Sequence, residues 1–136
     1  MEKISISNLT VDKIILHSFQ GSKKIMEKFL KLNVWFSISP GCFNEKNSEM
    51  IKEIPVDRLL IESDAPSMFN MDIYEKKEEF DFYFKETSLD GTEKFRNHSM
   101  CIFNLARKVA LLKKIELETF MEILSRNYRK IINVLI

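Results

Sequence analysis

The chain has 136 residues, of which 45% are apolar and 30% charged, and its net charge is +1. That is one domain's worth of a soluble globular composition, too apolar for a disordered chain and too mixed for a fibrous one. Near-neutrality rules out a global basic field for nucleic acid, and no apolar run is long enough to span a bilayer.

Met1 to Thr10 is polar and mixed, and reads as the remnant of a loop or helix. Lys13 to Leu16 reads as a buried strand with His17 at its carboxyl end. Gly21 and Ser22 close a tight turn, and Ser22 suits the N-cap of a helix over residues 23–32. In that helix Ile25, Met26, Phe29, Leu30 and Leu32 recur at helical spacing and form the face toward a sheet. Val34 to Ser39 is aromatic and β-branched, which predicts the next strand, and Pro40-Gly41 stops it. A short helix over 48–53 leads through Ile54-Pro55 to a third strand, Leu59 to Ile61.

Strands alternating with helices predict an α/β fold with parallel strands and right-handed crossovers. Residues 67–94 are harder to read, because Phe80, Phe82, Tyr83 and Phe84 mix with a charged run. A loop over the sheet's end and a partly helical flap fit them equally. Helices over 99–113 and 116–133 complete the chain, the second with Leu117, Phe120, Ile123 and Leu124 on its apolar face. Trp35, Phe36 and Phe43 are expected in the core. Cys42 and Cys101 lack a C-x-x-C spacing and are expected as free thiols in a reducing compartment.

Glu62 and Asp64 interrupt the Leu59–Ile61 strand at its carboxyl end. Alternation puts both on one face, Glu62 one layer deeper. Carboxylates are seldom buried unless paired or holding a metal, so the pair marks either a site or a strand end already in water.

The sequence around this strand resembles the C-terminal part of the TatD-like metal-dependent deoxyribonucleases. The family's LLETDAP appears within Leu59-Leu60-Ile61-Glu62-Ser63-Asp64-Ala65-Pro66, and its H-x-F-x-G-S as His17-Ser18-Phe19-Gln20-Gly21-Ser22. Its S-x-S-x-G appears as Ser37-Ile38-Ser39-Pro40-Gly41, and Arg96-Asn97 is a weaker fourth match. The elements fall in the family's order over nearly the whole chain.

The resemblance implies the C-terminal part of a TIM-like (β/α)8 barrel, a fold that typically takes about 250 residues. Residues 1–136 are then expected to be a single partial domain holding the last β/α units, without the N-terminal half and its His-x-His pair. The implied activity is hydrolysis of DNA phosphodiesters, with Asp64 as catalytic base and His17 and Asp64 as metal ligands. Glu62 is expected to orient them, and Gly21 and Ser22 to contact a phosphate. The implied cofactor is a divalent ion (Mg2+, Mn2+ or Zn2+), weakly held. DNA is the implied substrate, with no membrane and no secretory signal, and with a cytoplasmic or nuclear location. The alternative is a catalytically inactive remnant, or a partner subunit of a TatD-like protein. A three-stranded fragment with two open edges and a bare face is expected to self-associate, to pair with a complementary N-terminal half, or to cover that face with residues 67–94. Arg96-Asn97 is expected to play a structural part, an Asn or Ser capping the next helix, and His98 to be exposed.

Overall fold

Three parallel strands organise the chain: β3 (Ile14–Leu16), β4 (Val34–Ile38) and β5 (Leu59–Ile61), in the order β3-β4-β5. The computed structural model describes residues 4–6, 9–11, 13–74, 85–87 and 89–132. Ile14 pairs with Val34 and Leu16 with Phe36, while Phe36 and Ile38 pair across with Leu59 and Ile61. This register lines up Ile14, Leu16, Val34, Phe36, Ile38, Leu59 and Ile61 on one face, which joins the hydrophobic core.

Helices cover that face. α1 (Lys23–Leu30) contributes Met26, α2 (Glu45–Glu53) Met50 and Ile51, α3 (Cys101–Lys113) Leu105 and Val109, and α4 (Leu117–Ile132) Phe120 and Leu124. Burying a side chain of this size stabilises by about 1.5–3 kcal/mol, so the face anchors the fold. Phe36 and Phe43 are buried core residues, as expected, with the Phe19 ring packed edge-on against Phe36 at 4.9 Å. Both cysteines are free and buried.

The opposite face carries Ile15, Trp35, Ser37 and Leu60. Of these only Ile15 is exposed, so the expected bare face is corrected. The Arg58 guanidinium lies 5.5 Å from the centre of the Trp35 ring and donates to Asn33 Oδ1 at 2.7 Å. Two open edges were expected, but α4 occupies that of β5. Asn127 Nδ2 donates to Val56 O and Leu59 O at 2.8 and 2.9 Å, and the Tyr128 hydroxyl donates to Ile61 O.

Several local readings also change. Where a loop or helix remnant is expected, β1 (Ile4–Ile6) and β2 (Leu9–Val11) pair antiparallel. Both are short β-branched segments that suit a pleated ribbon. α2 starts three residues earlier than the apolar pattern implies, because the Asn44 side chain caps it by accepting the Asn47 N–H at 2.9 Å. α1 ends two residues early, at Leu30.

Within 67–94 the described residues combine irregular backbone with short elements. A 3-10 turn, Met71–Ile73, precedes an antiparallel pair, β6 (Lys85–Thr87) and β7 (Glu93–Phe95). Asn70 Nδ2 ties this segment to the end of β4 by donating to Pro40 O and Phe43 O at 2.8 and 2.6 Å. Phe80, Phe82, Tyr83 and Phe84 lie outside the described residues.

Candidate metal centre

Parallel strands set their carboxyl ends side by side, so each delivers its next residues to one end of the sheet. His17 and Ser18 follow β3, Ser39 follows β4, and Glu62 and Asp64 follow β5. Residues more than forty positions apart thereby meet.

Glu62 continues the ladder, its N–H donating to Ile38 O at 2.9 Å. Both of its carboxylate oxygens have partners. Oε1 accepts the Ser18 N–H at 2.6 Å, and Oε2 lies 2.8 Å from His17 Nδ1. A carboxylate partner holds the proton on Nδ1 and leaves the Nε2 lone pair outward, as second carboxylates do for metal-ligating histidines. Nε2 stands 3.5 Å from Asp64 Oδ1. The Glu62 hydrogen bond raises the His17 pKa above its ordinary value. The charge of Glu62 and, more weakly, that of Asp64 act in the same direction, while slight desolvation opposes them.

The other Asp64 oxygen is held by Ser18, whose Oγ donates to Oδ2 at 2.5 Å. Ser18 Oγ also lies 2.7 Å from Ser39 Oγ. A serine has one hydroxyl proton and a carboxylate can only accept, so with Ser18 donating to Asp64 the second bond is donated by Ser39. Cys42 Sγ sits 3.5 Å from Ser39 Oγ and extends the chain into the core. Burial pushes its thiol pKa up, so it stays protonated and available as a donor.

Two non-glycine residues in the left-handed region shape this arrangement, Ser18 at φ 44° and Asp64 at φ 52°. Such conformations cost of order 1–3 kcal/mol each and persist where surrounding bonds over-determine them. Ser18 is held by the bonds just described. The Asp64 loop is clasped by Asn97, whose Nδ2 donates to Ser63 O and Ser67 O at 2.5 and 2.8 Å and whose N–H donates to Pro66 O at 3.0 Å.

Several expectations shift accordingly. Asn97 is structural, but it clasps a loop instead of capping a helix; the N-cap position of α3 is Met100, with no side-chain cap. His98 is half-buried rather than exposed, and its Nδ1 accepts the Met100 N–H at 3.1 Å. Glu62 is not the deeper of the two acids: its side chain is 24% exposed against 12% for Asp64. The left-handed turn at Asp64 breaks strand alternation and drives that carboxylate inward. Ser18 and Ser39 lie inside the family motifs, and nothing in their spacing assigns them a role.

Among the described residues His17, Glu62 and Asp64 form one group able to hold a metal ion, each offering an atom within 4.8 Å of the others. One imidazole and two carboxylates are hard to borderline donors, and they suit a divalent cation. Gly21 and Ser22 line a cleft beside α2. No helix among the described residues is long and apolar enough to cross a membrane.

The chain is 26% identical over 121 residues to a putative deoxyribonuclease of Xenopus laevis, covering 88% of this chain and 39% of that protein. It is 28% identical to an uncharacterized metal-dependent hydrolase of Bacillus subtilis, with 88% and 41% covered. A Schizosaccharomyces pombe deoxyribonuclease is 31% identical over 119 residues, with 81% and 38% covered. A crystal structure of a TatD-family hydrolase from Entamoeba histolytica superposes with a TM-score of 0.70 at 22% identity, covering 86% of this chain and 41% of that one. The α/β arrangement of parallel strands and helices is therefore that of the TatD hydrolases, and the chain spans about two fifths of the length of these relatives. Residues 2–133 match the TatD related DNase family, and the chain belongs to it.

Proposed function

We propose that this member of the TatD related DNase family carries part of a metal-dependent centre that hydrolyses DNA phosphodiester bonds. The observation that carries the reading is the pair of unengaged donors, His17 Nε2 and Asp64 Oδ1, 3.5 Å apart while the other atoms of both groups are engaged by Glu62 and Ser18. Mg2+, Mn2+ or Zn2+ held by His17 and Asp64 would supply Lewis acidity toward a phosphoryl oxygen and acidify water at the site. Asp64 Oδ1 takes the proton of the attacking water, while the Ser18 hydroxyl on Oδ2 keeps the carboxylate oriented. Glu62 holds the His17 ring and tautomer. Gly21 and Ser22, at the start of α1, contact a substrate phosphate.

A second reading rests on the small donor set. One imidazole and two carboxylates are few ligands for a centre that retains its ion without help. The chain would then be an inactive remnant, or a subunit that self-associates or pairs with a complementary segment supplying further ligands. Either form would work in the cytoplasm or nucleus. Assays of the purified chain with Mg2+ and Mn2+ on single- and double-stranded DNA, beside a general phosphoester, separate the two. Cleavage abolished by Asp64→Asn supports the first; Asp64-dependent Mn2+ binding without turnover supports the second. Neither stands if Mn2+ binding is unchanged in Asp64→Asn.

A further inference from the structure

A cleft of about 350 Å³ lies between the start of α1 and one face of α2, and the metal cluster does not use it. Gly21, Ser22 and Lys23 form one wall, and Lys46, Asn47 and Met50 the other. The approach of the first wall depends on Gly21, because a Cβ there would come 2.5 Å from the Phe19 ring.

Two features suit an anion. The first turn of α1 holds no acidic residue, and Ser22 Oγ takes up the Ile25 N–H at 3.4 Å. The N–H groups of Lys23 and Lys24 have no partner among the described residues, so the positive end of the helix dipole is available. Of the charges on the walls, Lys23 is paired with Glu53 at 3.0 Å and Glu49 with Lys52 at 2.5 Å. Lys46 has no carboxylate partner among the described residues, which leaves one uncompensated cation.

A third feature asks for more than an anion. Asn47 is 7% exposed, and its side-chain carboxamide has no hydrogen-bond partner among the described residues. Its polar end is not fully enclosed, so it meets the cleft that it lines. A buried carboxamide is normally satisfied, and this one offers a donor and an acceptor side by side. That pair complements the edge of a nucleobase, and the polarizable Met50 thioether suits contact with a base ring. The cleft is also far larger than a lone phosphate needs.

We propose that this cleft binds one deoxynucleotide unit of a DNA strand. The phosphate rests on the start of α1 beside Lys46, and the base lies along Met50 with its edge on Asn47. The proposal takes the polymer's identity from the reading above but does not depend on the metal.

The test is made on the full chain in EDTA, titrated by calorimetry and by NMR of the Asn47 carboxamide. The probes are deoxynucleoside 5′-monophosphates, deoxyribose 5-phosphate and inorganic phosphate. At least one deoxynucleoside monophosphate is expected to bind about tenfold or more tighter than deoxyribose 5-phosphate and to shift the Asn47 resonances. Asn47→Leu, checked for unchanged thermal melting, should remove that preference, and Lys46→Glu should weaken all three probes; Asn47→Ser serves if the leucine variant misfolds. Equal binding of deoxyribose 5-phosphate and the monophosphates, or no binding at all, overturns the proposal. Nucleotide binding that survives while metal-dependent cleavage is absent counts against the hydrolase reading alone.

Discussion

The two edges of the central sheet are finished differently, and the candidate centre bridges them. Beyond β5, α4 lays polar side chains along the strand: Asn127 takes two carbonyls, and the Tyr128 hydroxyl also accepts the Ile61 N–H at 3.2 Å. The Asp64 loop that follows is clasped by Asn97. Beyond β3 no strand pairs among the described residues. His17 is held largely by the site itself, through Glu62, with the Phe19 N–H donating to Ser37 O at 2.9 Å just after it. The carboxylates and the imidazole thus come from unequal supports. The β5 half is set by the fold, whereas the β3 half is set by the acids of the β5 half.

This contrast can be broken first at its strongest point. Asn127→Leu leaves Val56 O and Leu59 O without their donor in a buried setting, and should cost about 3 kcal/mol. Urea unfolding measures it; a loss under 1 kcal/mol would mean that α4 does not hold the β5 edge. Asn97→Ala frees the Asp64 loop and should cost about 2 kcal/mol, with Mn2+ affinity falling on the order of tenfold. Unchanged affinity in that variant would show that the clasp serves folding alone.

Ser18→Ala acts on the dependent half. It keeps the N–H to Glu62 but removes the hydroxyl from Asp64, so stability should move by about 1 kcal/mol or less. Mn2+ binding should weaken by up to about tenfold, with Ser18→Thr recovering most of it. An equal loss in both variants would point to backbone strain at residue 18 instead.

The smallest effect is a pH dependence. His17 has a raised pKa, so its contribution to metal-free stability is present below the unfolded value near 6.5 and is lost as pH rises through the folded value. Metal affinity runs the other way, because protonated Nε2 cannot ligate: binding should weaken as pH falls through the raised value. Glu62→Gln removes the carboxylate that raises it and should move that midpoint to lower pH. A midpoint that stays put in calorimetric titrations would detach Glu62 from His17.

Much of this architecture is legible in local pattern. The apolar runs at Val34–Ile38 and Leu59–Ile61 and the helical spacing of Phe120 and Leu124 mark their elements, because a strand buried on both faces reads as a continuous apolar run and a helix buried on one face as a period of 3.6. The family motifs likewise mark His17, Glu62 and Asp64. Pattern fails where the partner is remote. Asn127 is fully buried on the α4 face that carries Phe120 and Leu124, and nothing within its helix says that two carbonyls of another segment require it. Glu62 and Asp64 follow strand alternation on paper, yet the left-handed turn at Asp64, stabilised by Asn97 from more than thirty residues away, inverts their depth. Ser18 looks like filler between His17 and Phe19 until β5 brings two carboxylates to it. Composition and periodicity determine which residues are apolar neighbours along one element. Which polar groups meet depends on strand order and register, and those are decided only when the core packs.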